Sequence, residues 1–513
     1  MGLNGVVTIS QLRADLHAAD FTVAALDALW GADAAAALAR GHRVPALRAL
    51  ASERDALASP LITLARVFVL GVPVSAGQLA AALPTLGLAG ARDLGLVGNN
   101  PRRTAASPAE DSVYGNVDLR PYSFSDRLGT ENWWIASDPG ELATGRALDE
   151  DHVLGIGGAS LTLSGLMMHE NVDRVLDLGT GCGIQAMHAS RFANHVIATD
   201  ISTRALEFAR LNAELNDIRN IEFRLGSLFE PVAGERFDLL VSNPPFVITP
   251  RVEGVPAYEY RDGGRVGDGL VEEVLAGSAD HLLPGGVAQM LGNWEYRDGR
   301  DGFARVGAWV DRSGLDAWVI EREVQDPALY AETWIRDGGT RSGDEFDRLS
   351  ELWLEDFARR GVTRIGFGYI TLRKPLAGTR TLRRLERLDG PVGPGLGSHI
   401  AAALAAHDWQ ASFDDETLGR TMLTVASDVT EERHYWPGDE HPAVMNLKQG
   451  GGFARSFPLD TALAAFVGAC DGELSVAAIC AALAQLLEVD EGALRAELLP
   501  NIRELVETGF LLP

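Results

Sequence analysis

Asp177-Leu-Gly-Thr-Gly-Cys-Gly183 joins an apolar run to a segment with helical spacing. The run covers residues 172–178 and the helical segment covers residues 184–192, so the pattern predicts a strand, a tight turn and a helix. Glycine lets the backbone take positive φ and approach a ligand with no Cβ in the way. The helix amides behind such a turn attract negative charge. The sequence therefore predicts a site for a ligand that carries a carboxylate or a phosphate.

A dinucleotide site is the first alternative for this glycine turn. Such sites use the pattern G-x-G-x-x-G, and here the sixth position is Ile184. The observed pattern is instead an acid followed by x-G-x-G-x-G. The next predicted strand, residues 195–199, leads into Asp200, and a carboxylate there can accept both hydroxyls of a ribose. An acid at a strand end is common, so Asp200 alone does not separate the alternatives.

The tetrapeptide Asn243-Pro-Pro-Phe246 directly follows another predicted strand, residues 237–242. Two prolines forbid further strand or helix, so they hold the Asn243 side chain and the Pro244 carbonyl as rigid acceptors. An NH2 group on a planar amide or nucleobase needs such acceptors, because its lone pair is delocalised and hydrogen bonds from its two protons return electron density to nitrogen. Phe246 could stack on the planar group. An ordinary turn is the alternative, and the order of glycine turn, Asp200 and tetrapeptide disfavours it.

From about residue 172 to residue 270 the sequence resembles the class I S-adenosylmethionine methyltransferases that include the release factor glutamine enzymes and the ribosomal or transfer RNA amine enzymes. The resemblance rests on the glycine turn, Asp200 and the tetrapeptide. It implies S-adenosyl-L-methionine as cofactor, with Asp200 at its ribose. It places five residues around the methionine part and four at the acceptor amine: Asp177, Gly179, Thr180, Gly181 and Gly183, and then Asn243, Pro244, Pro245 and Phe246.

Two further positions enter the predicted cofactor site through the same resemblance. Such enzymes often carry an acid after the third strand that meets the adenine amine, and this chain has Ser227 there. Serine can still hydrogen-bond adenine, although less selectively than a carboxylate. Upstream, the glycine-rich segment 154–160 lies where the family often closes over the cofactor, so Gly158 is assigned to the cofactor; a simple loop is the alternative.

The net charge limits the class of acceptor. The chain has 513 residues and a formal net charge of −26. Nucleic acids are bound by neutralising phosphates, so an acidic protein repels them. Residues 1–110 contain nine arginines and eight acidic residues, so nucleic acid could still bind through that part. A protein or peptide substrate is therefore favoured over a nucleobase.

Cysteine and hydropathy patterns predict no metal site and no membrane span. The chain has three scattered cysteines, Cys182, Cys470 and Cys480, and no paired histidine spacing. The longest apolar stretch, residues 61–74, contains Arg66 and is too short to cross a bilayer. A cytoplasmic location is expected. The sequence predicts no oligomeric state.

The predicted fold class is α/β, with a seven-stranded Rossmann-like core between two smaller domains. The core is expected at residues 114–376, and it begins with an aromatic cap that contains Trp133 and Trp134. Those two side chains are expected to pack rather than to bind substrate. The flanking predictions are a helical domain at residues 1–98, for which a winged helix is one candidate, a linker at 99–113, and a domain at 377–513 that ends in a winged-helix-like module.

The combined pattern predicts an S-adenosylmethionine-dependent N-methyltransferase for a planar amide or amine nitrogen, glutamine-type in a protein or peptide. An RNA or DNA base amine methyltransferase is the alternative enzyme. A regulator or scaffold that senses the cofactor without catalysis is the alternative of another class. The Asn243-Pro-Pro-Phe246 tetrapeptide argues against the regulator, because a sensor needs no amine clamp.

Overall fold

The computed structural model describes residues 3–52, 59–99, 111–145, 148–393 and 395–513. It divides into two compact units. The first unit comprises Met1–Ser164, Asn171–Leu315 and Glu323–Gly378, and the second comprises Gly165–Glu170, Asp316–Arg322 and Thr379–Pro513. Among the described residues no single helix has the length and hydropathy of a membrane span, although the bent pair Thr8–Ala18 and Val23–Ala39 meets both criteria together.

The amino-terminal part of the first unit is mainly helical, as predicted. Side-chain caps begin several of its helices: Thr22 Oγ1 accepts from Ala25 N at 3.1 Å, and Ser75 with Gln78 forms a capping box. The sequence did not predict its short strands, which form an antiparallel sheet in the order β1-β3-β2. The elements are α1 (Leu3–Ala18), α2 (Val23–Ala39), α3 (Val44–Ser52), α4 (Pro60–Leu64), a π-helical turn (Ala65–Val69), β1 (Val74–Ser75), α5 (Ala76–Ala82), α6 (Gly87–Asp93), β2 (Val97–Gly98) and β3 (Ser112–Gly115).

The aromatic cap is a long antiparallel hairpin. It consists of β4 (Asp118–Asp126) and β5 (Gly129–Ser137), which pair along their full lengths. Trp133 and Trp134 are both 6% exposed, and Trp134 Nε1 donates to Phe21 O at 2.7 Å. The prediction that these tryptophans pack is confirmed. Two short helices follow, α7 (Glu141–Thr144) and α8 (Gly158–Leu166).

Residues 172–373 form the mixed α/β core, with a large and mostly parallel sheet. In the first unit its strand order is β12-β10-β9-β6-β7-β8, in which β12 alone runs antiparallel to its neighbour. The elements are β6 (Val172–Leu178), α9 (Ile184–Ala189), β7 (Ala193–Asp200), α10 (Thr203–Leu215), β8 (Ile221–Leu225), a 3₁₀ turn (Glu230–Val232), β9 (Phe237–Ser242), α11 (Gly269–His281), β10 (Leu282–Arg297), α12 (Gly302–Ser313), β11 (Asp316–Gln325), α13 (Pro327–Asp337), α14 (Asp344–Arg359) and β12 (Val362–Arg373).

One hydrophobic core joins the amino-terminal helices to the sheet-covering helices α9 and α10. Buried Leu12 and Leu16 of α1 belong to the same cluster as Met187 of α9 and Leu211 of α10. Arg13 strengthens this contact, since its Nε donates to Leu215 O at 2.8 Å. The amino-terminal region and the core are therefore packed as one body, although the sequence suggested a linker between them; that linker lies largely outside the described residues.

The second unit contains most of β11 and the carboxy-terminal region. β11 pairs in parallel with β13, a strand that the sequence did not predict. Two three-stranded sheets have the orders β18-β14-β19 and β15-β16-β17. The elements are β13 (Arg383–Arg387), α15 (Leu396–Ala411), α16 (Asp415–Gly419), β14 (Met422–Val425), β15 (Val429–His434), β16 (Val444–Gln449), β17 (Ser456–Leu459), α17 (Thr461–Gly468), β18 (Asp471–Ser475), α18 (Val476–Leu487), α19 (Glu491–Glu507) and β19 (Leu511–Leu512).

Candidate active site

The glycine turn connects β6 to α9 and takes the left-handed backbone that its residues permit. Gly179, Gly181 and Gly183 have φ of 76°, 56° and 91°. A Cβ on Gly179 or on Gly181 would meet no atom within 4 Å, so both positions face open space. A Cβ on Gly183 would lie 3.0 Å from Ala209 Cβ of α10. The first two glycines thus leave room for a ligand, while the third lets two helices pack closely.

Asp177 lies beneath this turn and is fully buried. Its Oδ2 accepts from Thr180 Oγ1 at 2.5 Å and from Ala186 N at 2.9 Å. Burial raises the pKa of the Asp177 carboxyl to about 7, against the lowering effect of these two hydrogen bonds. The side chain therefore braces the turn against the start of α9, and it is not part of the cavity wall described below.

Asp200 stands at the end of β7 and holds the turn from its other side. Gly181 N donates to its Oδ2 at 2.9 Å, and Ser202 N donates to its Oδ1 at 2.8 Å. Each oxygen keeps a second lone pair for a ligand hydroxyl. Burial raises the pKa of this carboxyl above its ordinary value. The glycine turn and Asp200 are therefore joined directly by a hydrogen bond.

Asn243 follows β9 at the same edge of the sheet. The strand is fixed to the glycine turn because Ser242 Oγ donates to Leu178 O at 2.8 Å. Asn243 Oδ1 is shielded from solvent and has no hydrogen-bond partner among the described residues. A buried acceptor without a donor is unfavourable by about 1–3 kcal/mol, so this oxygen is prepared for a donor from a ligand. Phe246 points elsewhere, with its ring centroid 5.6 Å from that of Phe367.

A cavity of about 400 Å³ lies between the glycine turn and Asn243. It brings together most of the residues that the sequence singled out. Its wall includes Gly179, Thr180, Gly181, Asp200, Ser227, Asn243, Pro244 and Pro245. Four predicted residues lie outside the wall: Asp177, Gly158, Gly183 and Phe246.

One wall of the cavity is the segment before α8, which overlaps the glycine-rich segment 154–160 that the sequence assigned to the cofactor. Residues 151–155 line the cavity. Asp138 fixes them, because Val153 N donates to Asp138 Oδ2 at 3.0 Å and Asp138 N donates to Val153 O at 3.1 Å. Arg204 of α10 completes the arrangement by pairing with the same carboxylate through its Nε at 2.8 Å. No sequence pattern connects Asp138 to this wall.

Asn212 of α10 is a second residue that sequence reasoning missed. It is fully buried, and its Nδ2 donates to Cys182 O at 2.8 Å and to Ala136 O at 2.9 Å. Its Oδ1 accepts from Ala136 N at 2.7 Å. Asn212 thus ties the glycine turn to the hairpin. An asparagine in the middle of an amphipathic helix was the available signal, since such a residue needs a partner when buried.

The roof of the cavity is the loop after the tetrapeptide, residues 258–265. Val247 N donates to Arg261 O at 2.9 Å, and Phe246 forms an isolated β-bridge with Asp262. Arg261 is 5% exposed and its Nη1 donates to Trp334 O at 2.6 Å and to Asp337 Oδ2 at 2.7 Å. The roof is therefore held in the first unit by the tetrapeptide segment and by Trp334 and Asp337.

Comparison with protein families matches this part of the chain. Residues 156–297 match the model described as "Methyltransferase small domain". This region is therefore similar to the methyltransferase small domain. On either side, residues 18–107 and 401–513 match two models described as domains of unknown function, DUF7059 and DUF7782. The predicted resemblance to class I S-adenosylmethionine methyltransferases and the Rossmann-like core are confirmed.

Relatives of the methyltransferase small domain include glutamine methyltransferases. The release factor glutamine methyltransferase of Xylella fastidiosa is 38% identical over 140 residues, which are 25% of this chain and 49% of that protein. The ribosomal protein uL3 glutamine methyltransferase of Bradyrhizobium diazoefficiens is 36% identical over 125 residues, 22% of this chain and 39% of that protein. The chain thus spans about half, or less, of the length of these relatives.

Among solved structures, the ribosomal protein L11 methylase of Lactobacillus delbrueckii aligns with 47% of this chain and 84% of its own. The sequence identity is 19% and the TM-score is 0.25. A similarity at this level carries no argument about what the methyltransferase small domain does here.

Proposed function

We propose that this protein is an S-adenosylmethionine-dependent N-methyltransferase that acts on a planar amide or amine nitrogen, glutamine-type in a protein or peptide. One observation carries the proposal. Asn243 Oδ1 is a buried acceptor without a partner among the described residues, and its residue lines the same cavity as the glycine turn and Asp200. An acceptor placed there suits an N–H donor held next to a bound cofactor.

The residues fit the cofactor that this family uses. Gly179 and Gly181 leave open space above the turn, and Asp200 offers two further lone pairs at the strand end where a ribose would lie. We assign the methionine part to the turn, with Thr180 beside it, and the adenine end to the side that contains Ser227. When bound, the cofactor supplies an activated methyl group on a positively charged sulfur.

The chain's own contribution would be positional and electrostatic. Asn243 Oδ1 and the Pro244 carbonyl would accept the two protons of the NH2 group, which favours a pyramidal nitrogen and turns its lone pair toward the cavity. Two prolines keep both acceptors rigid, so little reorganisation is needed during transfer. Cys182 takes no part as a nucleophile, because burial raises the pKa of its thiol to about 11.

Phe246 keeps a proposed role at the substrate side rather than inside the cofactor cavity. It is half-buried, and its ring is tilted by 50° against Phe367. A planar group that enters toward Asn243 would meet the exposed part of Phe246 at the entrance. Asp177, Gly158 and Gly183 act in this proposal by shaping the turn and the wall.

A protein or peptide acceptor is favoured over a nucleobase by charge. The net charge of −26 opposes binding to phosphate backbones. The relatives named as glutamine methyltransferases act on a release factor and on a ribosomal protein. We therefore place the acceptor in a protein, and we place the enzyme in the cytoplasm.

The flanking regions are proposed to be winged-helix-like modules. Residues 377–513 combine helices with the antiparallel sheet β18-β14-β19, and residues 1–98 combine helices with two strands, β1 and β2, of a sheet whose middle strand is β3 (Ser112–Gly115). The carboxy-terminal module would present the substrate protein, since its last helix, α19, carries Glu497, Glu504 and Glu507 rather than a basic surface.

The test is transfer of labelled methyl from S-adenosylmethionine into a host lysate that is afterwards divided between protease and nuclease treatment. We expect label that protease removes and nuclease leaves. Label removed by nuclease would instead support the RNA or DNA base alternative. Cofactor binding without any labelled product would support the regulator that senses the cofactor.

A further inference from the structure

The roof loop contributes an acidic side chain to the wall of the cofactor cavity. This side chain belongs to neither the glycine turn nor the tetrapeptide. Glu259 lines the cavity together with Asp200 and Ser227. Its backbone is fixed, since Glu259 N donates to Glu150 O at 2.9 Å. Its carboxylate is exposed and makes no hydrogen bond or ion pair with the part of the chain that the structure describes.

The polar side chains near Glu259 in the sequence already make other contacts. Tyr260 Oη donates to Asp337 Oδ2 at 2.7 Å, and Tyr258 Oη donates to Gly338 O at 3.0 Å. Arg251 pairs with the Asp262 carboxylate, with Nη1 3.0 Å from its Oδ2. Glu259 therefore lies on a firmly held segment, yet its carboxylate makes none of the contacts that hold the roof in place.

Glu259 and Asp200 are two of the four acidic residues that line the cavity, the others being Asp151 and Asp262. Burial is the larger cause of the raised pKa of Asp200, and the negative charge of Glu259 raises that pKa further. Both oxygens of Asp200 already accept a backbone N–H, from Gly181 and from Ser202. Two like charges so placed favour a ligand that brings hydrogen-bond donors between them.

Where the resemblance places an acid that meets adenine, this chain has Ser227, which lines the same cavity as Glu259. The Ser227 backbone N donates a hydrogen bond to Glu230 Oε2 at 3.3 Å. Glu230 itself is exposed and is not part of the wall. An acid from elsewhere in the chain would restore the missing acceptor.

We propose that Glu259 is that acceptor: from the roof loop it receives a hydrogen bond from the adenosine part of the cofactor, through a ribose hydroxyl or the adenine amine. This inference rests on the proposed function, because it requires that the cavity binds S-adenosylmethionine. A hydrogen bond to a charged acceptor is about twice as strong as a neutral one, so the carboxylate adds affinity that Ser227 alone cannot give.

The test is titration calorimetry of S-adenosylmethionine and S-adenosylhomocysteine with the full chain and its E259A and E259Q variants. We expect E259A to weaken both ligands by about 10- to 100-fold and to the same extent, and E259Q to fall between E259A and the unmodified chain. E253Q is the matched control, since Glu253 is exposed in the segment that precedes the roof loop and does not line the cavity; its affinities should be unchanged.

The outcomes separate the inference from the proposed function. Equal weakening of both ligands supports the adenosine contact, because only one of them carries the sulfonium charge. Weakening of S-adenosylmethionine alone would overturn it in favour of attraction to the sulfonium, and affinities equal to those of E253Q would overturn it outright. An unmodified chain that binds neither ligand would refute the proposed function instead. Melting curves of each variant establish that it is folded.

Discussion

Replacing Asn243 by alanine separates cofactor binding from methyl transfer. The substitution removes an acceptor that has no partner among the described residues, so it breaks no hydrogen bond of the folded chain. It also removes a buried unsatisfied oxygen, which is unfavourable by about 1–3 kcal/mol, so the melting temperature should not fall. Removing one oriented partner of a transition state lowers the rate by about 100- to 1,000-fold. We expect that loss in turnover, with cofactor affinity unchanged.

The assay follows labelled methyl transfer into lysate protein, and calorimetry gives the cofactor affinity of the same preparations. Asn194→Ala is the matched control, because Asn194 is exposed and only donates to Asp173 Oδ1 at 3.0 Å. Turnover of Asn243→Ala equal to that of the control would refute the amine clamp. A parallel loss of cofactor affinity would assign Asn243 to the cofactor rather than to the acceptor.

Three further predictions concern the residues that build the site. The pKa of Asp177 is raised from 3.8 to about 7, so between these pH values the native state keeps a proton that the unfolded state releases. The free energy of unfolding should therefore fall by on the order of 4 kcal/mol as pH rises through this window, and then level off. Melting curves of Asp177→Asn should lack this pH dependence. Gly183→Ala should lower the melting temperature, because φ is +91° and the added Cβ would meet α10. Gly181 faces open space, so Gly181→Ala should weaken cofactor binding more than it lowers stability. An equal loss of melting temperature in both variants would contradict this prediction. Asn212→Ala should lower both stability and cofactor affinity, since it leaves two buried carbonyls and an amide unpaired, and an unchanged melting curve would count against its role.

Local patterns predicted the core well because short-range physics determines them. The strands at residues 172–178 and 237–242 were predicted with the bounds that the structure has. Apolar runs that end in glycine or proline leave few alternatives for the backbone. The position of Asn243 beside the glycine turn could also be predicted, because the carboxyl ends of parallel strands lie at one edge of a sheet.

The parts that could not be predicted depend on partners far apart in the sequence. Asp138 holds the cavity wall through Arg204, and Asn212 reaches back to Ala136. Nothing near either residue in the chain indicates its partner. Phe246 also has a partner that the tetrapeptide does not indicate, because its ring contacts Phe367 of β12, while its role at the substrate side stays a prediction.

The shared hydrophobic core of α1, α9 and α10 has a consequence for how the chain is synthesised and handled. The helices of residues 3–52 leave the ribosome before α10, yet their apolar face is covered by residues of α10 that appear about 200 positions later. Until then that face requires protection by a chaperone or by transient collapse. Once the chain is complete, occupation of the glycine turn should slow amide hydrogen exchange in α1, so that ligand binding becomes detectable in a helix that never touches the ligand.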